Sequence, residues 1–169
     1  MVRLAIDAPL IKAAQRGDLL AMDELLGKLW PFIRGVCGPI ALDEAPDATQ
    51  ETLIVIFRSL RHLREPYALL GWARIIATRE AVRIAKRRIP ELYDTTLSTQ
   101  LCPENPETMV EVWHVLQRLS PQHRAVLVLR EFEGLDDTTI ASILAVPRGT
   151  VKSRLNRARL RFRAEWQAQ

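Results

Sequence analysis

Pro147-Arg-Gly-Thr-Val-Lys-Ser-Arg-Leu-Asn-Arg-Ala-Arg-Leu-Arg-Phe-Arg163 is the stretch on which the reading of this chain turns. Seven of its residues are Lys or Arg, and no acid occurs between Asp137 and Glu165. At helical spacing, Val151, Leu155, Ala158 and Phe162 share one face, which must be the buried one. Lys152, Ser153, Asn156 and Arg157 fall opposite. Arg148 and Thr150 sit at the helix start, where free main-chain N–H groups favour phosphate. Arg and Lys reach guanine edges, Asn pairs with adenine, and Ser or Thr bonds phosphate or base. A short helix over about 137–144 and a tight turn precede the run. The pair reads as a helix-turn-helix whose second helix enters a DNA groove. Arg159, Arg161 and Arg163 lie beyond that contact and add phosphate attraction or solubility. Leu160 points away from the buried stripe, for no reason the sequence supplies.

Upstream, apolar spacing is helical nearly throughout and strand-type alternation is scarce, so the chain reads as all-α. Ser120-Pro121 opens a helix that Gly134 closes. Asn105-Pro106-Glu107 opens another, with an Asn cap, Pro in the first turn and an acid at the positive end of the dipole. Residues 89–104 carry Pro90, Pro103 and the pairs Thr95-Thr96 and Ser98-Thr99, with little periodicity, and read as a linker. Before it come helices over about 67–88 and 47–63, broken at Glu65-Pro66, and a loop over Pro39 to Pro46. The N-terminal helices part at Gly17-Asp18, with Asp18 as a cap and Leu19, Met22, Leu25, Leu26 and Leu29 as a buried stripe. The expected organisation is two small helical domains, 1–88 and 105–169, on the flexible tether 89–104.

The chain has 169 residues, 48% of them hydrophobic and 26% charged, which suits one medium or two small globular domains. A net charge of +4 conceals blocks. Arg58 to Arg88 holds nine Lys/Arg against Glu65 and Glu80, while Ile89 to Gln117 holds five acids and no Lys or Arg. Two basic blocks around an acidic one suggest two contacts with a polyanion. The longest apolar runs, Leu53–Phe57 and Ala125–Leu129, are too short to span a bilayer, and no signal peptide is evident, so a cytoplasmic protein without membrane insertion is expected. Cys37 and Cys102 are lone and read as core or loop thiols. His62, His114 and His123 lack metal-ligand spacing, and there is no Gly-rich phosphate loop. No metal, no cofactor and no enzymatic activity are expected.

Leu119-Ser-Pro-Gln-His-Arg and Ile140-Ala-Ser-Ile-Leu-Ala-Val-Pro-Arg-Gly-Thr-Val-Lys-Ser-Arg-Leu-Asn-Arg-Ala-Arg159 closely resemble region four of bacterial RNA polymerase sigma factors, the extracytoplasmic-function (ECF) group in particular. The output domain of a response regulator also uses a helix-turn-helix, so this half alone leaves both open. Ala45-Pro-Asp-Ala-Thr-Gln-Glu-Thr-Leu-Ile-Val-Ile-Phe-Arg58 resembles the region-two helix that docks on the coiled coil of the polymerase clamp, with Asp47, Gln50-Glu51 and Phe57 at matching positions. On the wheel, Thr49, Leu53, Ile56, Phe57 and Leu60 form the buried stripe. Asp47, Glu51, Val55 and Arg58 lie opposite; with Gln50, which the resemblance adds, they are the candidate polymerase contacts. Gly71-Trp-Ala-Arg-Ile-Ile-Ala-Thr-Arg-Glu-Ala-Val-Arg-Ile-Ala-Lys-Arg-Arg88 resembles the helix that captures the melted minus-ten element. There Trp72, Ile76-Ala77 and the closing basic run fit the family. The family's base-holding loop corresponds to Arg61 to Ala68, where His62, Arg64 and Tyr67 are placed to stack or hydrogen-bond. Together with Trp72, Arg79, Arg83, Lys86 and Arg87 they form the candidate minus-ten set. Arg148, Thr150, Lys152, Ser153, Asn156 and Arg157 form the minus-thirty-five set. The chain departs from the family at Arg79 and Arg83, where Asn and Asp are common, at Thr139 in place of an acid, and at Ala145 in place of the turn glycine.

The resemblance implies an initiation factor, monomeric when free, that binds core polymerase, opens the minus-ten element and reads the minus-thirty-five element as duplex. It also implies control by a separate anti-sigma protein, since no sensor or receiver domain is read in the sequence. The acidic 89–117 stretch would thread a basic polymerase channel. Two rivals remain at this point. A conventional helix-turn-helix regulator with a helical dimerisation domain predicts a dimer on palindromic half-sites. A helical adaptor would bind polymerase or an inhibitor without reading DNA.

Overall fold

A computed structural model describes residues 6–87 and 106–168, the side chains of 106–109 excepted. The linker 89–104, the Asn105 cap and Cys102 lie outside the described residues. Within them every regular element is helical. The N-terminal half comprises α1 (Ala8–Gln15), α2 (Leu19–Ala41), α3 (Ala45–Ser59) and α4 (Leu69–Arg87), joined through single turns at Leu42–Glu44, Leu60–His62 and Pro66–Ala68. The C-terminal half comprises α5 (Pro106–Gln117), α6 (Pro121–Leu127), a π-type turn Val128–Phe132, α7 (Asp137–Leu144) and α8 (Arg148–Gln167).

Gly17 takes φ 92°, which favours glycine, and ends α1. The Asp18 carboxylate then accepts the N–H groups of Leu20 and Ala21, both at 3.0 Å, and starts α2 as expected. Met22, Leu25, Leu29, Ile33, Val36 and Ile40 recur at three and four residues and are buried against α3 and α4. Each such side chain contributes about 1.5–3 kcal/mol by leaving water. Leu19 departs from the expected stripe: it is 75% exposed and lines an open hollow with Phe57.

The expected loop at Pro39 is helix instead, since α2 runs through both Pro31 and Pro39 to Ala41. Each proline removes one main-chain bond and crowds the carbonyl four residues back. Here those positions are the exposed Gly27 and Gly35, where no Cβ resists the bend and water can reach the released carbonyl. Burial of Val36, Cys37, Ile40 and Ala41 around the second proline offsets the loss. The turn comes at Leu42, with φ 58°. By composition the helical stretch 19–62 could cross a membrane, although no uninterrupted apolar run does; half of that window is buried in the bundle, which accounts for its hydropathy. Cys37 is a core thiol, as read, and its desolvation pushes it up to about 11.

The two halves pack on each other. Ala125 and Val128 join the N-terminal core, and Ile75 of α4 packs on the Leu129, Ile140, Ile143 and Val151 cluster of the C-terminal half. Arg124, 6% exposed, donates from Nε to the Ile40 carbonyl at 2.7 Å. Its Nη1 reaches the carbonyls of Leu119 at 2.9 Å and Leu116 at 3.3 Å. One buried guanidinium thus serves the last carbonyls of α2 and the end of α5, where a cation is electrostatically favoured.

Candidate functional site

The helix-turn-helix is built by its caps. The Asp136 carboxylate accepts the N–H groups of Thr138 (2.8 Å) and Thr139 (3.0 Å) and the Thr139 hydroxyl (2.9 Å). Those bonds, the Thr139 N–H foremost, hold its carboxyl below the usual range. Thr139, where the resembled family carries an acid, therefore serves the helix start. Arg130 pairs with Asp137 and donates to the Leu135 carbonyl at 2.8 Å, tying the approach to α7. Ala145 closes α7 in the left-handed conformation, φ 52° and ψ 48°, a position that glycine fills at lower cost.

Val151, Leu155 and Ala158 are buried, as the wheel requires, and Phe162 is half-buried and stacks on Trp166 at 5.9 Å. Arg148, Lys152, Asn156 and Arg157 are exposed and make no ion pair among the described residues. They are free to meet a polyanion. Thr150 and Ser153 are half-buried, and the Ser153 hydroxyl donates to the Thr150 carbonyl at 3.1 Å. Beyond them the basic run is partly neutralised. Arg159 bonds Glu131 at 2.7 and 3.0 Å, and Glu165 takes both Arg161 (2.8 Å) and Arg118 (2.9 Å). Leu160 is 58% exposed, and the structure offers no account of it either. Burial, and then Arg157 and Arg154, lower the pKa of His123, at the start of α6, below its ordinary value.

Helix α3 carries the second surface. Ala48, Thr49, Thr52 and Ile56 form its buried face. Asp47, Gln50, Glu51, Phe57 and Arg58 are exposed along the opposite side. Two expectations reverse here: Phe57 is 50% exposed, and Val55 is half-buried. The buried face is centred nearer Thr52 than Leu53, which turns Phe57 outward and Val55 inward. Asp47, Gln50 and Glu51 line one groove with Glu44, Ile84 and Arg87. Arg58 belongs to another hollow, with Leu19, Met22, Phe57 and Arg61. Phe57 is thus the surface residue that sequence reading misplaced. Its place six and seven residues from Glu51 and Gln50 on the polar stripe was the available signal.

Helix α4 carries the third surface, and much of it is engaged. His62, Arg64 and Tyr67 are exposed in the loop before it, Tyr67 at 91%, and Lys86 and Arg87 are exposed at its end. Trp72 is partly buried against the bundle core. Arg83 bonds Glu80 and lies 3.9 Å from Glu51, so its charge is locally matched. Arg79 donates to the carbonyls of Ile143 (2.9 Å) and Ser142 (3.2 Å) at the end of α7. Arg74, absent from the expected site, sits over the Phe32 ring at 5.5 Å and bonds Glu133 at 2.9 Å. The candidate minus-ten residues are therefore not one free patch: the loop and the helix end are open, while the middle faces the C-terminal half. No group of His, Cys, Asp and Glu among the described residues has metal-binding geometry.

Comparison with known proteins bears on what these surfaces serve. The family described as sigma-70, region 4, matches residues 109–162. The RNA polymerase sigma-H factor of Pseudomonas aeruginosa is 34% identical over 173 residues, covering 90% of each chain. The ECF RNA polymerase sigma-E factor of Haemophilus influenzae is 30% identical, covering 94% of each. Among solved structures, CnrH in complex with the cytosolic domain of CnrY is similar with a TM-score of 0.63 at 19% identity, over 95% of this chain and 97% of that one. The sigma factor RpoE of Bartonella quintana, in complex with the anti-sigma factor NepR, gives 0.61 at 20% identity, over 86% and 96%. At such identities the structural likeness concerns the fold.

Proposed function

The chain belongs to the ECF sigma factors of bacterial RNA polymerase, and from that premise we propose that it binds core polymerase and directs promoter-specific initiation. It acts as a regulator of transcription rather than as an enzyme, in the cytoplasm, where polymerase and chromosome are. The observation that carries the proposal is the presence of two unlike exposed surfaces on one chain. One is the unpaired Arg148, Lys152, Asn156 and Arg157 face of a helix-turn-helix. The other is the Asp47, Gln50, Glu51, Phe57 and Arg58 stripe of α3.

In this reading α8 enters the major groove of the minus-thirty-five element, where Arg148, Lys152 and Arg157 meet phosphate or guanine and Asn156 meets adenine. The exposed α3 stripe docks on polymerase. The loop with His62, Arg64 and Tyr67, followed by Trp72, Arg79, Arg83, Lys86 and Arg87, takes the melted minus-ten strand. The partition into 1–88, 89–104 and 105–169 assigns polymerase and minus-ten contacts to the first part and minus-thirty-five contacts to the last. An anti-sigma protein holds the factor inactive. The similar folds of CnrH and RpoE were solved with CnrY and with the anti-sigma factor NepR, which supports a partner of that kind.

The test is run-off transcription with purified core polymerase on a genomic promoter library. Transcripts that depend on this protein and share two unlike upstream elements at fixed spacing are expected. A palindromic site bound by a dimer without polymerase would replace the proposal with a conventional regulator. Polymerase binding with no starts would replace it with an adaptor.

A further inference from the structure

We propose that Arg79 is a latch: the free chain closes on itself, and the promoter-facing middle of α4 is occupied by the end of its own α7. The inference rests on the sigma-factor reading of α4 and deepens it. The groups that make the contact are specific. Arg79 is long enough to place Nε 2.9 Å from the Ile143 carbonyl and Nη2 3.2 Å from that of Ser142. Both are among the last carbonyls of α7 and carry the negative end of its dipole; that of Ser142 also accepts the capping Ala145 N–H at 3.3 Å. An Asn, common at this position in the family, is too short to span the same gap with a charge.

Two further contacts close the same seam. Glu133 takes Arg74, which is only 20% exposed at its side chain. Ile75, one residue on, packs on the cluster that includes Ile140 and Ile143. One face of α4, read at residues 74, 75 and 79, is thus spent on the C-terminal half. The Arg79 guanidinium has two exclusive uses, capping α7 in the closed chain or meeting the minus-ten strand in the open one. Binding of the strand must first break the cap, so the closed population lowers apparent affinity by the fraction that is closed. The exposed face of α8 and the exposed stripe of α3 lie outside the seam and need no such release.

The experiment uses the full chain, free of polymerase, in solution scattering at two ionic strengths, with circular dichroism to confirm helicity. Wild type is expected to be compact. Arg79→Ala and, separately, Glu133→Arg, which sets like charges against Arg74, are each expected to raise the open population by about tenfold or more and to increase the radius of gyration. Arg74→Glu with Glu133→Arg restores an ion pair and compactness. Unchanged scattering in Arg79→Ala overturns the latch, whatever Glu133→Arg does. Glu133 has no place in the proposed DNA contacts, so Glu133→Arg also separates the latch from the reading beneath it. Its affinity for a fluorescent single-stranded minus-ten oligonucleotide is expected to rise. An opened variant with no gain in oligonucleotide binding leaves the latch standing and removes the assignment of α4 to DNA.

Discussion

Helices α4 and α8 look alike in the sequence. Each sets a row of Arg and Lys over an apolar back, and each reads as a helix for nucleic acid. In the fold they differ in what is left over. Arg74 and Arg79 of α4 bond Glu133 and the α7 carbonyls, and Arg83 bonds Glu80. In α8 the pairing runs the other way: Arg159 and Arg161 are matched by Glu131 and Glu165, while Arg148, Lys152 and Arg157 stay open. A basic stripe therefore shows that a helix can meet a polyanion. Whether it is free to do so depends on which carbonyls and carboxylates the tertiary fold brings within about 3 Å of each guanidinium.

The largest test of this contrast is Arg124→Met. It keeps the unbranched apolar stem but removes the side-chain donor from the buried carbonyls of Ile40 and Leu119, while that of Leu116 keeps the Leu119 N–H at 3.0 Å. A loss of about 3 kcal/mol is expected in urea unfolding. A loss below about 1 kcal/mol would mean that apolar contact alone holds the two halves together. Next is Lys152→Ala in α8, set beside Arg161→Ala. The first should weaken minus-thirty-five duplex binding by about 1–3 kcal/mol and flatten its salt dependence by roughly one counterion. The second, already paired with Glu165, should change little. Equal effects from both would erase the division of α8 into an open face and a matched tail.

Ala145→Gly is expected to stabilise the chain by about 0.5–1 kcal/mol, read from the midpoint of thermal unfolding. Relief of the left-handed alanine, about 1–2 kcal/mol, exceeds the extra freedom glycine gives the unfolded chain. Destabilisation would show that the turn does not hold that conformation in solution. The smallest effect belongs to His123. Because its folded-state pKa lies below the ordinary 6.5, the unfolded chain takes the proton more readily. Its full contribution is therefore present above the unfolded value and is lost as pH falls toward and through the lowered folded one. The size is on the order of a few tenths of a kcal/mol, because the ring is partly solvated. His123→Gln should remove that part of the pH dependence of stability and leave the rest.

Much of this was legible without coordinates. The helical period placed Val151, Leu155 and Ala158 inside and Lys152, Asn156 and Arg157 outside, because a helix repeats regardless of what it packs on. Asp18 and Ser120 start helices as read, since a cap is satisfied within three residues. The errors fall where that locality ends. Pro39 does not break α2, because the buried residues around it outweigh one missing bond. Leu19 and Phe57 line an open hollow, because periodicity fixes the direction of a side chain but not whether anything lies there to cover it.

The amino-acid sequence by itself determined the all-helical class, the helix-turn-helix and the family, since each rests on short-range spacing and on matching strings of residues. The tertiary structure alone decided that Arg124 serves α2, that Glu133 takes Arg74, and that Arg79 reaches the end of α7. Those pairs are separated by between 59 and 84 residues. No local rule reports which distant carbonyl will stand within reach of a guanidinium. That follows only once burial of the apolar faces has set the helices against one another.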